Sequence, residues 1–310
     1  MNLGGIYAAI AYALWGVLPV YWKAIQEVPA HEILCHRMVW SLLFTIVLLR
    51  WKGRWAWVGA ALRSRRVVAT FFGSALLIGL NWYTYIWAVN NGFIVGASLG
   101  YFITPLINVF LGVVVLREKL RLWQGVAIGV AATGVIYLTF VYGAFPWVGL
   151  TLAFSFGFYG LLRKTAPLDA LEGLSLETAI LFLPAALFLV HLETAGGGAF
   201  GHAAPKTTLL LAMAGPATAL PLLFFAYGVR RVTLTTAGLL HYIAPTLQFL
   251  MGVLVYHEPF TRTRLVGFIV VWIALVIYTW ESVQRARRRK RMAGRAGRGL
   301  PFPGPAPRGP

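Results

Sequence analysis

Of the chain's 310 residues, 59% are hydrophobic and only 12% are charged, and the mean hydropathy is +0.74. A soluble protein carries about twice that charged fraction, so the composition excludes a soluble fold and points to a multispanning membrane protein. The net charge of +18 would suit a nucleic-acid binder, but the basic residues sit in short runs between apolar segments and near the C-terminus, where they set topology; no nucleic-acid partner is expected. The single cysteine, Cys35, excludes an internal disulfide and a cysteine-based metal site, and no cofactor is expected.

The chain starts with "MNLGGIYAAIAYALWGVLPVYWK", which lacks a basic lead and is long enough to cross a bilayer. It is therefore expected to persist as a helix. A span needs roughly 20 apolar residues, and ten such runs follow one another: 3–22, 33–51, 67–89, 96–116, 122–141, 147–163, 175–192, 207–228, 234–256 and 264–282. Only "YGAFP" parts the fifth from the sixth. Ten spans put both ends of the chain on one side. With that side cytoplasmic, all Lys and Arg but Lys23, Arg37, Lys206, Arg262 and Arg264 fall in cytoplasmic segments, which is the asymmetry that orients such proteins. The expected localisation is a membrane crossed many times, with both termini cytoplasmic. Residues 285–310, rich in Gly, Pro and Arg, read as a disordered cytoplasmic tail whose basic start would lie against anionic lipid headgroups.

The fourth and ninth runs echo each other at an offset of 140: Ala97, Leu99, Ile103, Pro105, Gly112 and Glu118 recur as Ala237, Leu239, Ile243, Pro245, Gly252 and Glu258. A weaker echo links 13–23 with 154–164. The expected fold is therefore all-α, ten transmembrane helices arranged as two five-helix repeats, 1–142 and 143–284. Five is odd, so the second repeat enters the membrane from the opposite face. In inverted repeats the substrate site lies near the midplane between the halves, and rocking of one against the other gives alternating access.

Tyr101, Thr104, Pro105, Asn108 and Gly112 share one helical face, and His241, Pro245, Gln248 and Gly252 share its counterpart. Each face carries a polar ring, a proline expected to break the helix and an amide. Two readings stand: these residues line a substrate pathway, or Asn108 and Gln248 are hydrogen-bonding glue between helices. Asn81 and Tyr85, one turn apart in the third span, are further pathway candidates, and Asn90 and Asn91 mark its outer end. Trp15 and Tyr12 stand evenly between core and cavity. "HEILCHRMVW" opens the second span, with Glu32, His36 and Arg37 either an outer gate or a helix-end ion pair in which Glu32 partners Arg37. Glu118 and Glu258 are placed to cap the helix that follows each.

All nine acidic residues fall at expected helix ends or in loops. That disfavours a strongly cationic cargo and leaves His241 as the titratable group best placed inside a span. No phosphate-cradling Gly-Lys loop, metalloprotease motif or nucleophile–base pair is present, so an enzyme is not expected. The expected function is a secondary transporter or facilitator for a small organic metabolite or drug. A non-transporting scaffold or sensor that docks a partner or lipid through its basic tail is the alternative.

The words "HEILCHR", "NWYTYIWAVNN", "ASLGYFITPL", "AFSFGFYGLLRK" and "HYIAPTLQF", in this order, resemble those of the RarD-type permeases, or chloramphenicol-sensitive proteins, of the EamA family in the drug/metabolite transporter superfamily. The resemblance runs from about residue 3 to 282 and implies a ten-helix inner-membrane transporter with an inverted repeat. This chain has Thr104 where such proteins commonly carry asparagine, and His241 where they commonly carry glutamine.

Overall fold

The computed structural model describes residues 3–91, 94–256, 265–267, 269–281 and 284. The expected tail 285–310 and Glu258 lie outside the described residues, as does the side chain of Asn90. Among the described residues the protein is all-helical.

In chain order the helices are α1 (Leu3–Lys23), α2 (Ala30–Trp51), α3 (Trp57–Arg63), α4 (Arg65–Asn90), α5 (Ile94–Val114), α6 (Leu122–Tyr142), α7 (Trp147–Thr165), α8 (Ala170–Thr194), α9 (Pro205–Val229), α10 (Leu234–His241) and α11 (Ile243–Leu254). A further apolar helix covers Leu265–Glu281. Among the described residues helices cover the apolar runs, the ninth being divided between α10 and α11. Six of them, α1, α2, α4, α6, α8 and α9, are long and apolar enough among the described residues to cross a membrane by length and composition. The short α3 was not foreseen; it sits between α2 and α4, with Trp57 Nε1 donating to the Arg54 carbonyl at 2.9 Å.

Local chemistry explains where the helices start and stop. Thr233 caps α10, its hydroxyl accepting from the Thr236 amide at 3.1 Å, and the Gln124 side chain accepts from the Arg121 amide at 3.2 Å at the start of α6. α6 ends at Gly143, whose φ of 71° suits glycine alone without strain. α8 begins five residues before the expected 175, because Asp169 opens it and Glu172 reaches back to the Asp169 amide at 3.3 Å.

The two copies of the repeated segment differ in form. α5 runs unbroken through Pro105, so the expected break there is corrected: the bonds on either side of the missing N–H carry the helix past it. In the second copy the helix does divide, at Tyr242. Pro245 offers no N–H to the His241 carbonyl and its ring crowds that carbonyl, which places the break one turn ahead of the proline.

α9 is the most buried of the long helices and lies between α1 and α2. Close approach requires small residues: a Cβ at Gly228 would stand 2.6 Å from the Ala8 nitrogen of α1. The exterior is apolar. Val47, Leu183, Leu187 and Phe140 are 61–81% exposed, an arrangement suited to lipid and unsuited to water.

Candidate functional site

A cavity of about 140 Å³ opens between α1, α2, α4, α5, α7, α10 and α11, in the half of the bundle that holds the α1–α2 turn. Tyr101 and Thr104 reach it from α5, His241 from α10, Gln248 from α11, and Asn81 and Tyr85 from α4. The two segments 140 residues apart in sequence thus face one space. Asn108 does not line it. It lies one turn further along α5 and is 1% exposed, and neither amide atom has a partner. It packs against α10 where a Cβ at Gly238 would come within 2.9 Å of its own Cβ and 2.7 Å of the Pro105 carbonyl oxygen.

Several lining groups also tie helices together. Asn81 Nδ2 donates to the Leu152 carbonyl at 2.9 Å and to Ser155 Oγ at 3.0 Å, joining α4 to α7. Gln248 Nε2 donates to the Trp15 carbonyl at 3.2 Å, joining α11 to α1. Of the two amides expected either to line a pathway or to join helices, Gln248 joins helices and also lines the cavity, and Asn108 does neither. Thr104 Oγ1 turns back to the Gly100 carbonyl at 2.7 Å. Tyr85 and Tyr101 meet edge to face with centroids 6.2 Å apart. His241 packs at 4.8 Å on Tyr12 and edge-on at 5.4 Å to Phe156, with Nδ1 unpartnered. Trp15 lines the cavity, whereas Tyr12 is fully buried beneath it.

The cluster at the start of α2 divides, and the expected pairing of Arg37 with Glu32 is corrected. Residues four apart share a helical face and the next residue turns about 100° away. Glu32 and His36 accordingly face the α8–α9 connection: Glu32 Oε1 accepts from the Ala199 amide at 2.7 Å and lies 3.7 Å from His36 Nε2, while Phe200 packs 5.0 Å from the His36 ring. Arg37 faces the cavity. Its Nε donates to Thr218 Oγ1 at 2.9 Å, and its guanidinium carbon stands 4.7 Å from the Trp22 ring and 4.6 Å from the Trp82 ring. Among the described residues it has no carboxylate partner, and no acidic side chain lines the cavity.

Two features escaped the sequence reading. On α1, Trp15, Leu18, Pro19 and Trp22 all line the cavity; their spacing of i, i+3, i+4 and i+7 was the same signal that picked out the α5 face. The second is a buried network at the opposite end of the bundle. Glu177, expected at a span end, is 1% exposed in the third turn of α8. It accepts from Ser74 Oγ at 2.5 Å and Tyr159 Oη at 3.3 Å, and pairs with Arg163 Nη1 at 3.4 Å. Arg163 Nη2 also donates to the Ala170 carbonyl at 2.9 Å. Nearby, Lys164 donates to the Val229 carbonyl at 3.1 Å and to that of Val232. Glu118 caps a helix, but not the one that follows it. Its carboxylate accepts from the Leu234 and Thr235 amides at 2.6 and 3.0 Å, so it caps α10 and joins the end of one repeated segment to the start of the other.

A membrane-embedded helical bundle whose cavity is lined by aromatic and polar side chains has the form of a membrane transporter. The EamA-like transporter family matches twice, over residues 2–140 and 146–280. Similar proteins include protein RarD of Streptomyces exfoliatus, 45% identical over 93% of this chain and 91% of that one. They also include the uncharacterised transporter YojE of Bacillus subtilis, 44% identical over 93% of this chain and 97% of that one. A solved crystal structure at 18% identity superposes with a TM-score of 0.67, covering 89% of this chain and 97% of that chain, and shares its fold. The chain belongs to the EamA-like transporter family, as a permease of the RarD type.

Proposed function

We propose that the protein is a secondary transporter or facilitator that carries a small organic molecule across the bacterial inner membrane by alternating access. The observation that carries this reading is the convergence of the two repeated segments: Tyr101 and Thr104 from one, His241 and Gln248 from the other, meet in a single cavity. A site built from corresponding parts of two halves is what a rocking mechanism requires. The twofold family match supports ten helices in two inverted repeats. So does the bond from Tyr242 Oη to the Phe102 carbonyl, 3.2 Å long, because these two residues correspond at the offset of 140 and meet where a two-fold axis between the halves would pass. The distribution of basic residues supports cytoplasmic termini.

In this reading the cavity opens toward the outer face. Tyr12, Phe156, Phe225 and His241 close it below, and the Arg163–Glu177 network with the Glu118 cap locks the cytoplasmic end. Transport would require those locks to part while Glu32 and the α8–α9 connection close the outer end. The cargo is a small molecule, lipid is the surrounding partner, and neither nucleic acid nor a cofactor enters the cycle.

The test compares metabolite accumulation in cells that carry the protein, lack it, or carry Gln248→Leu, across external pH. A transporter yields at least one compound whose distribution follows the wild type and not the variant, with equal membrane insertion of both. Deleting residues 285–310 is expected to leave that flux intact. Identical profiles in all three strains, or flux that disappears with the tail alone, would reject the reading.

A further inference from the structure

Arg37 is the one cation lining the cavity among the described residues. A guanidinium has five N–H donors in a planar fork. Here Nε is used by Thr218 at 2.9 Å, and the guanidinium carbon stands over the Trp22 and Trp82 rings, 4.7 and 4.6 Å from their centroids. These cation–π contacts with Trp22 and Trp82 offset part of the cost of holding the charge away from water. What remains is the edge with the two terminal nitrogens, for which the described residues supply no carboxylate. That edge presents two parallel donors, the geometry that matches a carboxylate bidentately.

The same chain shows how it treats a guanidinium of fixed structural role. Arg163 is given a carboxylate, a backbone carbonyl and the Phe71 ring at 5.5 Å. Arg37 has the ring contacts without the counter-charge, and it faces open space. The aromatic side chains of Trp15, Tyr85, Tyr101 and Phe156 line the same space. Its volume of about 140 Å³ is close to the roughly 150 Å³ of a void known to hold benzene.

We propose that the cargo is a small organic carboxylate whose anionic end is held by the terminal nitrogens of Arg37 and whose ring-sized apolar body sits among Trp15, Tyr85, Tyr101 and Phe156. This rests on the transport reading and narrows its substrate class. A cationic amine meets the guanidinium with like charge and finds no acid in the cavity. A neutral isostere loses the charge-assisted pair.

The experiment is calorimetric titration of the purified full chain in detergent with benzoate, benzyl alcohol and benzylamine, which share a ring and differ in charge. Benzoate is expected to bind at least about tenfold more tightly than either other probe. Arg37→Gln is expected to remove that preference, and Arg37→Lys to keep part of it, as a point charge replaces the fork. Equal or tighter binding of benzyl alcohol or benzylamine by the wild type overturns the proposal, as does the absence of saturable benzoate binding. The wild-type ranking stands whether or not either variant folds. Flux of the same probes into proteoliposomes separates this inference from the transport reading. Flux without a benzoate preference keeps transport and rejects the carboxylate site; benzoate binding with no flux of any probe keeps the site and rejects transport.

Discussion

Two arginines inside the bundle are handled in opposite ways. Arg163, 2% exposed, meets Glu177 within a network that also holds Ser74 and Tyr159. Among the described residues Arg37 has two tryptophans, one threonine and no carboxylate. A lone arginine deep in a bilayer costs about 2.5–3.5 kcal/mol or more. Stacking on an aromatic ring returns about 0.5–2 kcal/mol per contact. Arg163 thus finds its counter-charge within the chain, although its buried Nε has no partner, and it serves to hold helices together. Arg37 is held by rings and a hydroxyl without a counter-charge among the described residues, which is the condition under which an arriving anion gains most.

The sharpest way to break this contrast is to remove Glu177. Glu177→Leu strands the Arg163 guanidinium, and breaking one side of a buried pair costs about 3–5 kcal/mol. Unfolding in mixed detergent should register that loss, and Glu177→Leu combined with Arg163→Met should recover most of it. A single-variant loss below about 1 kcal/mol would mean that the network is not a lock.

Arg37→Gln should do the reverse. Its stability is expected to stay within about 1 kcal/mol of wild type, because no protein counter-charge is orphaned, while benzoate affinity falls about tenfold, or roughly 1.4 kcal/mol. Equal losses of stability at Arg37 and Arg163 would erase the distinction between the two ends.

Asn108 and Gln248 refine the boundary of the site. Both amide atoms of Asn108 are buried without partners, so Asn108→Leu is expected to leave stability unchanged or raise it by about 1 kcal/mol, with flux retained. Gln248→Leu loses a helix-joining bond at the cavity wall and is expected to cut flux several-fold at a stability cost of about 1 kcal/mol. A flux loss at Asn108 larger than at Gln248 would move the pathway deeper along α5.

The smallest effect concerns a third arginine, in the connection after α2. Arg54 Nη2 donates to Asp169 Oδ2 at 2.8 Å and to Glu172 Oε1 at 2.6 Å. That hydrogen bond, with the nearby positive charge, holds the Asp169 carboxyl below its ordinary value. The stabilisation is therefore complete above about pH 3.9 and is lost as pH falls through the lowered value. The pair is largely exposed, so only a shallow acid limb in the stability–pH profile is expected, and Asp169→Asn should flatten it. An unchanged limb would assign acid sensitivity elsewhere.

The particular errors show what a linear reading can resolve. The face holding Tyr101, Thr104 and Asn108 was legible, since 3.6-residue periodicity sorts side chains by direction. Its depth was not, because periodicity does not say where along the helix a neighbour ends and open space begins. Asn108 shares the direction and misses the cavity by a turn. Glu32 and Arg37 were read as partners because they are near in sequence, yet they point about 100° or more apart, and Arg37's neighbours Trp22 and Trp82 come from α1 and α4. An apolar run starting at 175 places Glu177 near a helix end; the Asp169–Glu172 capping pattern, also in the sequence, places the start of α8 earlier and Glu177 inside.

The amino-acid sequence by itself determined the membrane class, the apolar runs, the internal echo and the family, because hydropathy, periodicity and duplication are properties of a linear string. The tertiary structure alone decided that Arg37 faces a cavity without an acid while Arg163 has one, that Glu118 caps α10 and not α6, and that the second proline helix divides where the first does not. Those outcomes depend on which helix is packed beside which. A charged group's partner inside a membrane is set by a few ångströms of packing geometry that no spacing along the chain encodes.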